Sequence, residues 1–391
     1  MPTKLGSKGA LILSYYQPWV YAGSERYNQL AIEELRQGRS QAYVYVADAD
    51  DRLQIARNVR AIEYARFALY QFIPPDRVMP MSPYAVELSG QRELTFEELV
   101  VHLQPEYVRA HFPVQDYIDA LESPSFQRIP FLYDVMDLWD EFVQTPWGNS
   151  FTEERYIKRS DAVTVVSQLL LDRIPEGFNK YLVPNAIDRV FLERIAPPRT
   201  GRLRPHVLNK RVLYMGSMGG SWFDWDLVWH LTHELHDHEF TFLGSIELPP
   251  EELDIGALTE RIAIVKELKA LPNVKFAPEV PHDDLVPWLR QADVGLIPFK
   301  PSNLTTAVSP LKVFEYLGAG AVVVQTGMPD IASYPGVRTA ENAAGFVELV
   351  RVSDWLKLTA KETSAMVRFS ERNTWAARVA QLDQIVDALQ S

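Results

Sequence analysis

Apolar residues along this chain fall into short, nearly continuous runs separated by longer amphipathic stretches. Residues 10–15 (ALILSY), 41–46 (QAYVYV), 162–166 (AVTVV), 294–298 (VGLIP) and 321–325 (AVVVQ) are such runs. Residues 129–133, 211–214, 240–243 and 274–276 behave alike. Most are bounded on at least one side by Gly, Pro, Asp, Asn or Ser, and all are too short for a helix, so each predicts a buried strand. Between them the apolar positions take a helical period at 24–36, 57–72, 151–159, 223–238, 283–292, 342–350, 354–369 and 375–389. Thr95 and Glu98 form a capping box that opens a further helix, closed by Pro105. Apolar strands alternating with helices predict an α/β chain built on parallel sheets.

The best-defined unit runs from Val294 to Gln325. A strand is followed by a polar loop at 300–308, a helix at 311–317 and a second strand. Ser309 reads as the helix N-cap and Pro310 as its first residue, and Gly318 ends it. Lys312 and Glu315 are three apart and share a face near the helix start. Free N–H groups and the positive dipole end make that start an anion site, with Lys312 adding charge. Glu315 can accept from a ribose diol. The same spacing also fits a surface ion pair.

Composition narrows the class. At 391 residues the chain suits two domains, and 47% hydrophobic content supplies ample core. A formal charge of −12 argues against broad nucleic-acid binding. There is no cysteine, which removes disulfides and thiolate metal sites and fits a cytoplasmic setting. No run approaches the ~20 apolar residues of a spanning helix. The Pro- and Arg-rich stretch 197–205 lacks periodicity and predicts a boundary between domains at 1–197 and 206–370.

Other groups carry candidate chemistry. Asp48 and Asp50 form a D-x-D after a strand, a pattern that also suits an ordinary turn. The predicted helix 57–72 sets Arg57, Arg60 and Arg66 against an apolar face, as a membrane-surface helix or a solvated domain helix does. His230, His233, His236 and His238 lie on one helix, mostly on its solvated side, and metal is not expected there. Asp134 and Asp137 follow the strand at 129–133, where open α/β sheets bind ligands; either is a candidate general base or a helix cap. Gly216, Ser217 and Met218 begin a Gly-rich turn through which backbone can approach a ligand. It does not match the dinucleotide fingerprint.

Several stretches together resemble the group 1 (family four) glycosyltransferases of the GT-B class. PLKVFEYLGAGAVVVQTGMPDI resembles their donor-binding segment, YLVPNAIDRVF their interdomain linker, and VLYMGSMGG the first strand and turn of their C-terminal domain. YDVMDLWD, DAVTVVS and the terminal NTW helix resemble further segments of that family. The resemblance implies two doubly wound Rossmann-like domains with a cleft between them, the helix at 374–391 packing back on the first. It implies a donor site for a UDP-sugar, in preference to a GDP-sugar, on the second domain. Gly216, Ser217, Met218, Ser309, Leu311 and Lys312 would then meet the diphosphate, Glu315 the ribose, and the loop ending at Val280 the base. No metal or other cofactor is expected. The loop after the first strand would supply acceptor-side residues at Gly23, Ser24, Glu25 and Arg26. The acceptor would be a saccharide, a lipid-linked molecule or a small molecule, with nucleic acid excluded and peripheral contact with a membrane left open.

Two departures matter. The family's Arg and Lys after the Gly-rich turn are replaced by Trp222, Phe223, Asp224, Trp225 and Asp226, so Lys312 carries that charge alone or with Lys300. The first glutamate of the family's pair falls on Ala307. That leaves retention or inversion open, and an inverting enzyme would need Asp134 or Asp137, or else Glu25, as its base. The same departures suit a catalytically silent GT-B scaffold, and a GT-B sugar-nucleotide epimerase is the other alternative.

Overall fold

The computed structural model describes residues 5, 9–16, 25–46, 66–141, 147–197, 210–247, 255–353 and 360–390. The D-x-D at 48–50, and Gly23 and Ser24, lie outside them. The chain divides into two compact units, Met1–Pro184 with Trp375–Ser391, and Asn185–Thr374.

The first unit is built on strands β1 (Ala10–Ser14), β2 (Gln41–Tyr45), β3 (Phe67–Ile73), β4 (Arg77–Pro80), β5 (Leu94–Thr95), β6 (Tyr107–Ala110), β7 (Phe131–Val135), β8 (Ala162–Val165) and β9 (Lys180–Leu182). Their order is β5-β4-β3-β2-β1-β6-β7-β8-β9. Pairing is parallel from β3 through to β9, and antiparallel where β4 meets β3 and β5. Chain order reverses between β1 and β6, the place where such sheets open a ligand crevice.

Two expectations change here. Residues 67–72 are not helical: FALYQFI forms β3, paired in register with β2 from Gln41↔Phe67. Its aromatic and apolar residues satisfy a buried strand as well as a helix face, and pairing with β2 decides between them. Residues 57–65 lie outside the described set. The strand before Asp137 is also shifted. Pro130 has no N–H for the ladder, so β7 starts at Phe131, whose N–H is capped by Asp161 Oδ2 at 2.8 Å. Asp134 therefore lies inside the strand, and only Asp137 follows its end.

The Thr95–Glu98 capping box is formed, and its helix Phe96–Leu103 ends on Gln104 at φ 46°, just before Pro105. The C-terminal helix Trp375–Gln390 belongs to this unit. Arg39 grips Asp383 through two hydrogen bonds, 2.8 and 2.7 Å, and Arg378 donates to the Pro184 carbonyl at 2.8 Å.

The second unit is built on β10 (Arg211–Met215), β11 (Glu239–Leu243), β12 (Val274–Ala277), β13 (Val294–Ile297), β14 (Val322–Thr326) and β15 (Val337–Ala340), ordered β12-β11-β10-β13-β14-β15 and all parallel. The reversal falls between β10 and β13, which pair only at Val212↔Val294 and Leu213↔Gly295. Beyond that the strands part, and the side chain of Tyr316 fills the gap, its hydroxyl accepting from Met215 N–H at 3.1 Å. A Cβ on Gly295 would sit 2.3 Å from the Tyr316 ring, so β13 needs glycine at that point.

The division at Pro184 precedes the 197/206 boundary expected from composition. The helix Arg189–Ile195, capped by Asp188 on Phe191 N–H at 2.8 Å, goes with the second unit. It packs so closely on the helix Leu311–Gly318 that a Cβ on Gly318 would lie 2.6 Å from Leu192 Cδ1. Tertiary packing, not local composition, sets the boundary. The expected loop at 300–308 contains a short helix, Asn303–Ala307, capped by Ser302.

Candidate functional site

In the second unit the candidate donor residues gather at the carboxyl edge of the sheet, around the reversal. The turn after β10 brings Gly216 to φ +121°, and a Cβ there would stand 2.9 Å from Lys312 Nζ. Gly244, after β11, is at φ +140°, and its Cβ would strike the Gly216 carbonyl at 2.1 Å. Both positions require glycine, and both keep backbone close to Lys312.

Lys312 Nζ lies 3.4 Å from the Tyr214 hydroxyl and over two rings, Tyr214 at 4.5 Å and Phe299 at 5.1 Å from the centroids. Burial lowers its pKa to about 8, with the Glu315 charge opposing that fall. A desolvated ammonium in an aromatic cage, with its counter-charge one turn away, gains strongly from an incoming anion.

The Gly-rich turn uses its own polar groups internally. Gly216 N–H donates to Leu243 O at 2.9 Å, Met218 N–H to Ser245 O at 2.8 Å and Gly219 N–H to Ser217 Oγ at 3.3 Å. The Tyr214 hydroxyl donates to Ser217 O at 2.6 Å. Gly216 and Met218 thus shape the turn, and their N–H groups are already engaged. Arg261 donates to the Gly219 carbonyl. Sequence reasoning missed this cation: it comes from the helix Ile255–Ala270, far from the turn in sequence, and no spacing signals it.

Ser309 is not the helix cap. The helix Leu311–Gly318 has Pro310 at the N-cap without a side-chain bond. Ser309 Oγ instead accepts from Asn185 N–H at 3.2 Å, while the Asn185 side chain donates to Ser309 O at 2.7 Å. The linker-like segment so fixes the approach to Leu311 and Lys312.

Glu315 is buried and joined to His282, Nε2 to Oε1 at 2.6 Å. Burial pulls the His282 pKa down, but the Glu315 hydrogen bond and charge outweigh it and leave it raised. The ring stacks on Phe191 at 4.1 Å. His282 was not singled out from sequence, because it lies in a separate 3-10 turn after β12. Val280, half-buried, lies in the same loop.

In the first unit, Asp134 and Asp137 have opposite environments. Asp134 has no exposed surface. It takes Arg26 Nε at 2.8 Å and Nη2 at 2.9 Å, and Thr164 Oγ1 at 2.5 Å, with His111 Nδ1 3.0 Å away. Burial alone would raise its pKa, but Arg26 and then His111 hold it far below the usual carboxylate range. A carboxylate so held is a poor base, which weighs against Asp134 among the base candidates, and it engages the Arg26 guanidinium.

Asp137 is half-buried, and burial with the nearby Glu25 charge pushes its pKa up to about 7. Burial pushes Glu25, the N-cap of the helix Arg26–Arg36, to about 7 as well. A carboxyl pair that exchanges protons near neutrality is what general-base chemistry needs. Aromatic rings of Tyr16, Phe112, Trp139 and Trp147 pack edge to face or tilted, with centroids 5.3–5.8 Å apart.

On the other candidate metal ligands, His233 stacks on Trp229 at 4.2 Å, and His238 is buried with Nδ1 2.8 Å from Asp237.

Two Rossmann-like units, each on a largely parallel sheet with one reversal of chain order, describe the GT-B fold. Solved structures agree on the fold. Sucrose-phosphate synthase from Thermosynechococcus elongatus matches over 98% of this chain and 99% of its own, with TM-score 0.66 and 15% identity. HepE from Anabaena, solved in complex with UDP-glucose, matches over 97% and 99%, with TM-score 0.65 and 12% identity. Residues 226–384 match the family described as glycosyl transferase-like. Bacillus subtilis (strain 168) TuaH, assigned as a teichuronic acid biosynthesis glycosyltransferase, is 27% identical over 221 residues, 51% of this chain. That match spans about half of TuaH's own length, 50%. The chain is thus similar in sequence to glycosyltransferases over part of its length, and shares the GT-B fold over nearly all of it.

Proposed function

We propose that this protein transfers a glycosyl group from a nucleotide diphosphate sugar, a UDP-sugar in preference to a GDP-sugar, to a hydroxyl of an acceptor. The observation that carries the reading is the half-buried, caged Lys312 at the reversal of the second sheet, one turn from Glu315. The leaving diphosphate gains charge as the glycosidic bond breaks, and a preorganised cation in a dry site stabilises that change. Arg261 supports the turn, and Lys312 serves without a metal ion. Glu315 holds the ribose, exchanging its bond to His282 for the diol. Asp137, tuned by Glu25, takes the proton from the acceptor hydroxyl. With alanine at position 307, this base favours a single displacement with inversion.

The likeness to TuaH supports a role in cell-surface polysaccharide or glycoconjugate synthesis, with a saccharide or lipid-linked acceptor. Among the described residues no helix is long and apolar enough to cross a membrane.

The test is calorimetric titration with UDP, GDP and NAD in the presence of a chelator, on the wild type and on Lys312→Met. Metal-free UDP binding that Lys312→Met weakens supports the donor site. Absence of nucleotide binding, or binding that needs a divalent ion, overturns it and favours a silent scaffold.

A further inference from the structure

Wholly within the first unit, beside the end of β7, lies a cavity of about 330 Å3. Leu138, Ile157, Leu170 and Phe178 supply much of its apolar wall. Polar residues make up half of the lining, among them the carboxylates of Asp140 and Glu154 and the Ser150 hydroxyl. Asp137 stands at one side and Glu153, from the helix Ser150–Arg159, at another. Glu153 Oε1 already accepts from the Tyr133 hydroxyl at 3.2 Å. Arg173 and Lys158 also line the cavity, the first tied to Asp140 at 2.8 Å.

The lining chooses among ligands. The four carboxyl side chains of the lining disfavour an anion, and Arg173 and Lys158 disfavour a cation. A free sugar presents hydroxyls in all directions and would leave several of them against Leu, Ile and Phe side chains without partners. A neutral molecule with an apolar body and a hydroxyl end satisfies both kinds of wall. Asp137 belongs to this cavity and also to the carboxyl pair with Glu25, so a hydroxyl bound here reaches the group assigned as base. Burial pushes Glu153 up to about 7, and a carboxyl near that value can accept from or donate to such a hydroxyl.

We propose that this cavity is the acceptor site and that it takes a neutral, hydroxyl-bearing amphiphile by its apolar body, in preference to a free sugar. The inference rests on the glycosyl-transfer reading, and the test separates the two.

The probes are n-hexyl β-D-glucopyranoside and free glucose. Binding is followed by saturation-transfer NMR on the full-length protein, with UDP titrated calorimetrically on the same samples. Ile157, half-buried on the cavity wall, is replaced by Trp to fill the space; Phe178→Ala removes apolar wall without adding bulk. The expected result is binding of the hexyl glucoside and not of glucose. Each variant should weaken that binding by about tenfold or more, with UDP affinity unchanged. Equal binding of both probes, or hexyl glucoside affinity unchanged in both variants, overturns the cavity assignment while leaving the donor reading in place. Loss of hexyl glucoside binding in the variants, with no UDP binding by the wild type, keeps the ligand site but overturns its role as an acceptor site.

Discussion

The carboxyl edges of the two sheets occupy the same topological position and carry opposite charge chemistry. In the second unit a lysine is half-buried against rings and a glycine turn, and its pKa falls to about 8. In the first, two carboxyl groups are half-buried near each other, and both rise to about 7. Each edge holds groups whose charge is poorly solvated and would be improved by a ligand, but of opposite kinds. One is prepared for an anion and the other for a proton. The contrast within the first unit is as sharp. Asp134 and Asp137 are three residues apart, yet Asp134 is locked by Arg26 and Thr164 while Asp137 is left to titrate.

The largest effect tests that second contrast. Asp134→Asn leaves Arg26 buried beside a neutral group, and breaking a buried pair costs about 3–5 kcal/mol. Urea unfolding should show that loss; a stable Asp134→Asn protein with low turnover would restore Asp134 as a catalytic candidate. Because its folded pKa is depressed, Asp134 stabilises the fold fully above the unfolded carboxyl value of about 3.9. That stability declines as pH falls toward the folded value.

Asp137→Asn should reduce turnover about a hundredfold while UDP affinity and stability stay near wild type. In the wild type, turnover should rise with pH through about 7, because the base must be ionised. An unchanged rate in this variant would remove the acid-edge assignment.

Lys312→Met should weaken UDP by about 2 kcal/mol or more in calorimetry, the cost of removing one partner of a desolvated charge pair. Wild-type affinity should decline as pH rises through about 8, where Lys312 loses its proton in the free protein. Flat affinity across that range would separate Lys312 from the anion. Glu315→Ala should weaken UDP by about 1–3 kcal/mol through the lost ribose bonds. Glu25→Gln is the smallest change: burial still raises Asp137, but the lesser contribution of the Glu25 charge is lost, so the acid limb of the rate profile should move slightly to lower pH.

Much of this architecture is legible in the sequence, for identifiable reasons. Strands β1, β2, β8, β13 and β14 are apolar runs in which burial on both faces leaves little choice of conformation. The Thr95–Glu98 box is local chemistry and forms as read. Lys312 and Glu315 share a helix, so their proximity follows from helical period alone. β3 was misread because one pattern served two periods. The start of β7 was misread by two residues, which moved Asp134 from a loop into the sheet core.

The partners that set the chemistry come from elsewhere in the chain. Arg26 is 108 residues from Asp134, His282 is 33 from Glu315, and Arg261 is 42 from Gly219. Sequence by itself determined the α/β class, the elements whose pattern is local, and which residues can carry charge at the strand ends. Tertiary structure alone decided which of those charges are satisfied and which are left to titrate. A side chain's pKa depends on the water it loses and the charges it meets, and both are settled only when distant segments pack together.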